Sequence, residues 1–351
     1  MRVLLIKMSS LGDVVHTLPA VTDAAAHGIQ FDWVVEEAFA DIPNRHPAVA
    51  NVLPISWRRW RHSLAASRGE WTRFVSRLRA QHYDLVLDAQ GLIKSGVVAG
   101  LARGASKAGF ALRSAREAAA AVFYEHRIQV ARGQHAVDRL RQLFASALDY
   151  PLTDELDFGI AGASRGPAAA APDGEARACV LLHGTTWQSK HYPEAMWIEF
   201  ARGAADRGLT VAVPWGDATE KARAQRIATA TGAALWERTT IAEFMDRLGR
   251  AALAVGVDSG LAHLSAALNV PTVVIYGSTD GALTGCRGSR VANLQAEFPC
   301  APCLKRDCGY TGVDHKWRGE AVQPPCYSRV PPEALWQAAT EVMDADCVLS
   351  V

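Results

Sequence analysis

No stretch of this 351-residue chain is both uncharged and as long as the ~20 residues that a bilayer-spanning helix needs. The apolar run at 3–6 is also too short for a signal-peptide core, which predicts a cytoplasmic protein. Neither sign of charge is in excess: 37 Lys and Arg stand against 36 Asp and Glu, a net charge of +1. That balance removes the global electrostatic reason to expect nucleic acid as a partner, so any anionic ligand must be met by local charge. The common nucleotide fingerprints are missing as well. No G-x-G-x-x-G follows the first strand and no G-x-x-x-x-G-K-[ST] occurs, which argues against redox cofactors and P-loop chemistry. The seven cysteines are an odd number in a chain with no export signal, which argues against a disulfide framework.

What is present is a rhythm. Short β-rich runs at 3–6, 31–35, 52–55 and 85–87 alternate with helical patterns near 14–26, 67–81, 93–102 and 135–148. This is the βαβ signature of a parallel sheet with helices on both faces. The rhythm breaks in an Ala-, Gly- and Pro-rich stretch with no apolar period, read as a linker over 161–177. It restarts with strands at 179–182, 210–213, 252–257 and 272–276 and helices near 193–207, 218–231, 240–250 and 260–268. The expectation is two doubly wound α/β domains, 1–160 and 178–331, facing each other across a cleft. A last amphipathic helix within 332–351 is expected to cross back to the first domain. The apolar content, 49%, suffices for two cores.

Ligands of open α/β sheets gather beyond the carboxyl ends of the strands, so the residues that follow each strand are the candidates. The first strand runs into Ser10-Leu11-Gly12-Asp13, where Asp13 is either a helix cap or a carboxylate placed for chemistry. In the second half, Gly256-Val257-Asp258-Ser259-Gly260-Leu261-Ala262-His263 joins a strand to a helix whose first N–H groups form a ready anion site, suited to a diphosphate. The alternative is an ordinary turn with a core histidine at His263. The loop Gly184-Thr185-Thr186-Trp187-Gln188-Ser189-Lys190 adds hydroxyls and one ammonium at the same edge. Glu220, after a third strand, suits a ribose or sugar hydroxyl, or simply complements a helix dipole. The densest cationic and aromatic stretch is Trp57-Arg58-Arg59-Trp60-Arg61-His62, whose guanidinium forks suit carboxylate and phosphate groups.

Taken in order, Lys7-Met8-Ser9-Ser10-Leu11-Gly12-Asp13-Val14-Val15-His16-Thr17-Leu18-Pro19-Ala20, Asp32-Trp33-Val34-Val35-Glu36-Glu37, Arg58-Arg59-Trp60-Arg61, Asp88-Ala89-Gln90-Gly91-Leu92-Ile93-Lys94 and Asp258-Ser259-Gly260-Leu261-Ala262-His263 resemble the type I lipopolysaccharide heptosyltransferases of glycosyltransferase family 9. The resemblance spans nearly the whole chain. It implies the GT-B fold of two Rossmann-like domains, ADP-heptose as donor, and inverting transfer of L-glycero-D-manno-heptose to a Kdo residue of the inner core (Kdo2-lipid A). It also implies work at the cytoplasmic face of the inner membrane, on the membrane surface. By the same resemblance Asp13 is the general base and Lys190 stabilises the leaving diphosphate. Thr185, Thr186, Glu220, Asp258, Ser259, Gly260, Leu261 and His263 then hold the donor, and Ser10, Gly12, Arg58, Arg59, Arg61, Lys94 and Arg116 hold the acceptor. No cofactor is expected for the chemistry. A type II transfer to heptose and a sugar-nucleotide 2-epimerase on the same scaffold are the alternatives.

One feature departs from the type I pattern. Cys300-x2-Cys303-x4-Cys308-x17-Cys326 has the count and opening spacing of a structural zinc site; a reduced, metal-free loop is the other reading. The D-x-D at Asp344-Ala345-Asp346 lies near the C-terminus and is not read as a metal-diphosphate site.

Overall fold

The computed structural model describes residues 1–61, 67–161 and 177–345. His62, most of the expected linker and Asp346 lie outside these. The chain divides into two compact units, 1–163 and 164–351.

The first unit carries β1 (Arg2–Ile6), β2 (Gln30–Glu36), β3 (Val49–Ile55), β4 (Leu85–Asp88), β5 (Lys107–Phe110) and β6 (His126–Ile128), in the sheet order β3-β2-β1-β4-β5-β6. All its pairings are parallel. Its helices are α1 (Leu11–Ala25), α2 (Asp41–Asn44), α3 (Trp57–Trp60), α4 (Arg68–Leu78), α5 (Ile93–Leu101) and α6 (Ala136–Leu148). Strand β1 is central, and Val3, Leu4, Leu5 and Ile6 have no exposure at all. That is why the sequence reads there as a continuous apolar run and not an alternating one.

The second unit repeats the plan with β7 (Ala178–Leu182), β8 (Thr210–Val213), β9 (Ala234–Leu235), β10 (Leu253–Val257), β11 (Thr272–Tyr276) and β12 (Val291–Gln295), ordered β12-β11-β10-β7-β8-β9. These pairings are also parallel. Its helices are α7 (Glu194–Asp206), α8 (Ala218–Thr231), α9 (Ile241–Leu248), α10 (Gly260–Ala267), α11 (Gly281–Thr284) and α12 (Pro332–Asp344). Both units are thus doubly wound α/β layers of the GT-B kind. Helix α12 corrects an expectation. On sequence it returns to the first domain, whereas Leu335, Trp336, Ala339 and Val342 complete the second unit's own core, with Trp336 stacked on Phe200 at 4.4 Å.

Each sheet has one point where strand order reverses and the loops on either side diverge, leaving a crevice. In the first unit it lies between β1 and β4, and in the second between β7 and β10.

Candidate active site

At the first crevice, the turn after β1 is tied to the loop after β4. The backbone N–H groups of Met8 and Ser9 donate to Gln90 Oε1 at 2.9 and 3.1 Å, and Gln90 Nε2 donates back to the Ser9 carbonyl at 2.6 Å. Helix α1 then opens with Asp13 in its first turn. Asp13 Oδ2 accepts from the Ser10 backbone N–H at 2.8 Å and from Ser10 Oγ at 2.9 Å, so the capping reading is correct as far as it goes. Yet the Asp13 side chain remains 33% exposed, and Oδ1 lies 3.7 Å from the ammonium of buried Lys7, so the carboxylate is reachable as well as held. Burial works against its ionisation, but Lys7, the Ser10 hydrogen bonds and His16 outweigh it and hold the carboxyl below its usual value. Asp13 is therefore ionised at neutral pH. Lys7, which does this, was not singled out on sequence, because a buried lysine ending a strand looks like an interruption of the apolar run.

The basic residues expected to meet the acceptor divide. Lys94, from α5, donates to Ser9 Oγ at 3.1 Å, and its charge is felt together with those of Arg58 and Arg61. Arg58 lies over the Phe39 ring at 5.6 Å. These three share the carboxyl edge of the first sheet. Arg59 does not join them: it donates to Glu70 Oε1 at 2.9 Å and to Ser56 Oγ at 3.2 Å, so its fork serves to fasten α3 to α4. Arg116 is exposed, in a segment laced to the β4–α5 loop by the Glu117 N–H donating to the Gly91 carbonyl at 3.0 Å. Gly12 is buried in the first turn of α1.

At the second crevice the centre is Asp258, 7% exposed at the end of β10. Lys190 Nζ reaches Asp258 Oδ2 at 2.6 Å from the loop after β7, Thr279 Oγ1 donates to the same oxygen at 2.7 Å, and His263 Nε2 stands 3.5 Å from Oδ1. Burial disfavours the Asp258 charge, but the contacts with His263 and Lys190 hold its carboxyl far below the usual range. His263 Nδ1 in turn lies 3.1 Å from Cys286 Sγ. Burial opposes a charge on this imidazole, and Cys286 and Asp258 more than reverse that, raising its pKa to about 10. Ser259 caps α10 by accepting the Ala262 N–H at 3.4 Å. Gly260 and Leu261, half-buried, open the helix beside it. Thr185 Oγ1 donates to the Asp258 carbonyl at 3.4 Å, and Thr186 is exposed beside it. Glu220 accepts the Gly216 N–H at 2.7 Å, and a Cβ at Gly184 would push its carboxylate aside, so the loop after β7 passes close to Glu220. A cavity of about 910 Å³ opens here, lined by Thr185, Gln188, Glu220 and Arg223 among others.

Cys300, Cys303, Cys308 and Cys326 line one smaller cavity, of about 230 Å³, with Ser189 on its wall. All four are free thiols. Burial, then the nearness of the other three, pushes the Cys326 thiol up to about 12. Among the described residues no group of three or more His, Cys, Asp or Glu side chains is arranged to hold a metal ion. The same loop braces the donor side, since Ser189 donates its N–H to the Arg306 carbonyl at 2.9 Å and its hydroxyl to the Lys305 carbonyl at 2.5 Å. Thr279 was missed on sequence, and Ser189 was read there only as one of the loop's hydroxyls, because their partners are far along the chain.

Two Rossmann-like units, one presenting an ionised carboxylate beside Lys7 and the other a lysine and a helix opening suited to a diphosphate, fit a transferase of the GT-B class. The model of glycosyltransferase family 9, the heptosyltransferases, matches residues 71–313, and the chain belongs to that family. It is 50% identical over 342 residues to lipopolysaccharide heptosyltransferase 1 of Pseudomonas aeruginosa, covering 95% of each chain. The solved Escherichia coli heptosyltransferase WaaC with ADP superposes with a TM-score of 0.84 at 37% identity, over 97% of this chain and 100% of that one. The same enzyme with ADP-2-deoxy-2-fluoro heptose gives 0.80 at 36% identity, over 97% and 99%. The chain is thus a heptosyltransferase of lipopolysaccharide synthesis. No helix among the described residues is long and apolar enough to cross a membrane.

Proposed function

We propose that this enzyme moves heptose from ADP-heptose to a Kdo residue of Kdo2-lipid A with inversion at the anomeric carbon, and that Asp13 is the general base. The observation that carries the proposal is Asp13 itself, ionised, one-third exposed and fixed at the reversal point of the first sheet. The acceptor hydroxyl gives its proton to the free edge of the Asp13 carboxylate as its oxygen bonds to the anomeric carbon. The anomeric C–O bond to the diphosphate breaks, and ADP leaves with the electron pair. Lys190 and the opening of α10 stabilise the charge that grows on the diphosphate. Thr185, Glu220 and the large cavity of the second unit accommodate the nucleotide, in line with the relatives solved with ADP and an ADP-heptose analogue. Arg58, Arg61, Lys94 and Arg116 meet the acidic groups of the acceptor, and the Trp57–Trp60 helix with its arginines suits an anionic leaflet surface, where each basic residue contributes about 1 kcal/mol. The chemistry as proposed calls for no metal at the reacting atoms.

Asp13→Asn keeps the shape of the helix start but cannot take a proton. It should retain ADP affinity within about twofold and lose at least ~10²-fold in transfer rate, measured by calorimetry and turnover respectively. Near-normal turnover would remove Asp13 from the role of base.

A further inference from the structure

A diphosphate brings more than one negative charge, and the donor side as described so far meets it with a cation that is already paired. Lys190 Nζ lies 2.6 Å from Asp258 Oδ2. The arginines that line the large cavity are committed in the same way. Arg223 is held by His191 Nδ1 at 2.6 Å and by the Tyr192 carbonyl, and Arg226 by Glu194 at 2.7 Å. The opening of α10 adds only the partial charge of a helix end. Tight binding of a diphosphate here calls for a cation that the protein itself leaves unneutralised.

Arg306, on the cysteine-bearing loop, is such a cation. It is exposed, and among the described residues its guanidinium has neither an ion pair nor a hydrogen bond. What it meets is Trp187 of the donor loop: Arg306 Cζ lies 5.8 Å from the centre of that ring, and Lys190 Nζ lies 4.6 Å from it. The backbone fixes this placement. The Leu304 N–H donates to the Ser278 carbonyl at 2.8 Å, the carbonyls of Lys305 and Arg306 both accept from Ser189, and the Cys308 N–H donates to Gln188 Oε1 at 3.4 Å. The segment is thus fastened to the loops after β7 and β11 on both sides of Arg306. An aromatic face steadies a guanidinium without cancelling its charge, and it leaves the N–H fork open to a partner with paired oxygens, which a carboxylate of the protein would not. We propose that Arg306 is a donor-binding residue whose guanidinium, held over the ring that also carries Lys190, makes a two-point hydrogen bond to oxygens of the ADP-heptose diphosphate. The cysteine-bearing loop then serves the donor site by carrying this arginine to it. The proposal rests on reading the second unit as the donor site.

Arg306→Ala removes the fork from an exposed position, so the variant should melt close to the wild-type temperature. Calorimetry with ADP and with adenosine should show ADP bound at least about tenfold more weakly and adenosine within about twofold of wild type. In turnover with ADP-heptose and Kdo2-lipid A the donor KM should rise while the acceptor KM stays put. Arg306→Lys keeps the charge without the fork and should recover only part of the lost ADP affinity. Unchanged ADP affinity in Arg306→Ala overturns the proposal. An equal loss for ADP and adenosine overturns it too, because Arg306 would then shape the loop and not meet the diphosphate. So does a variant that melts well below wild type, and full recovery in Arg306→Lys overturns the two-point contact. Wild type in the same titration distinguishes the underlying reading: no ADP binding by wild type would sink the donor assignment itself, whereas binding by wild type with an unaffected variant sinks only the role of Arg306.

Discussion

Lys190 carries its charge into the donor site already paired. Its ammonium sits 2.6 Å from Asp258, 4.6 Å from the centre of the Trp187 ring, and 15% exposed, so the pair adds little net charge where a diphosphate would bind. What it adds is direction, because Asp258 is itself fixed by Thr279 and His263 and holds the ammonium in one place. Removing Lys190 therefore does two things at once: it deletes the proposed phosphate partner and uncovers a buried carboxylate where the diphosphate is proposed to bind. Lys190→Ala should weaken ADP binding by at least about tenfold, and Lys190→Ala combined with Asp258→Asn should bind ADP more tightly than Lys190→Ala alone, both by calorimetry. Equal affinities for the single and double variants would show that Asp258 does not act through its charge. Lys190 and Asp258 were legible in the sequence because each follows an apolar strand. Thr279 follows β11 in the same way, yet a threonine has many uses after a strand, and only the 2.7 Å contact reveals which one it serves.

The donor loop is an element without regular structure beyond the single turn Gln188–Lys190, and it is held from behind. Ser189, 2% exposed, joins it to the cysteine-bearing loop through Lys305 and Arg306, and lies 3.0 Å from Ser278 Oγ after β11. Ser189→Ala leaves the Lys305 carbonyl without its donor, which should lower stability by about 1 kcal/mol in urea unfolding and raise the donor KM several-fold, with acceptor KM unchanged. A donor KM that stays put would mean that the loop holds its shape without this brace. The elements themselves were readable where they are long and apolar. Among the omissions are β5, β6 and β9, of four, three and two residues, where short length, Ala and Gly, or an exposed edge leaves no periodic signal. Strand β12, on the opposite edge of its sheet, is half-exposed and was missed for the same reason. The partner of Arg59 was hidden for a different reason: in sequence Arg59 belongs to a basic run, while Glu70 stands eleven positions later, where no local pattern links the two.

At the scale of the whole molecule, the repeated strand and helix rhythm made two doubly wound units legible, since a βαβ pattern admits few other folds. It did not tell on which core α12 settles, because an amphipathic face specifies that it is buried and not by what. Nor did it show that Arg306 meets the Trp187 ring, which depends on how two distant loops pack. The proposed function is divided between the units in the same way: a carboxylate beside Lys7 in the first, a loop and helix opening suited to a diphosphate in the second. Such a division suits the proposed passage of a group from a donor to a separate acceptor. The most direct measurement is therefore mass spectrometry of the lipid after the purified enzyme is incubated with ADP-heptose and Kdo2-lipid A. The expected result is a lipid heavier by one heptose residue, with ADP released in equal amount. An unchanged lipid, or ADP-heptose converted at the same rate when no lipid is present, would contradict transfer to Kdo.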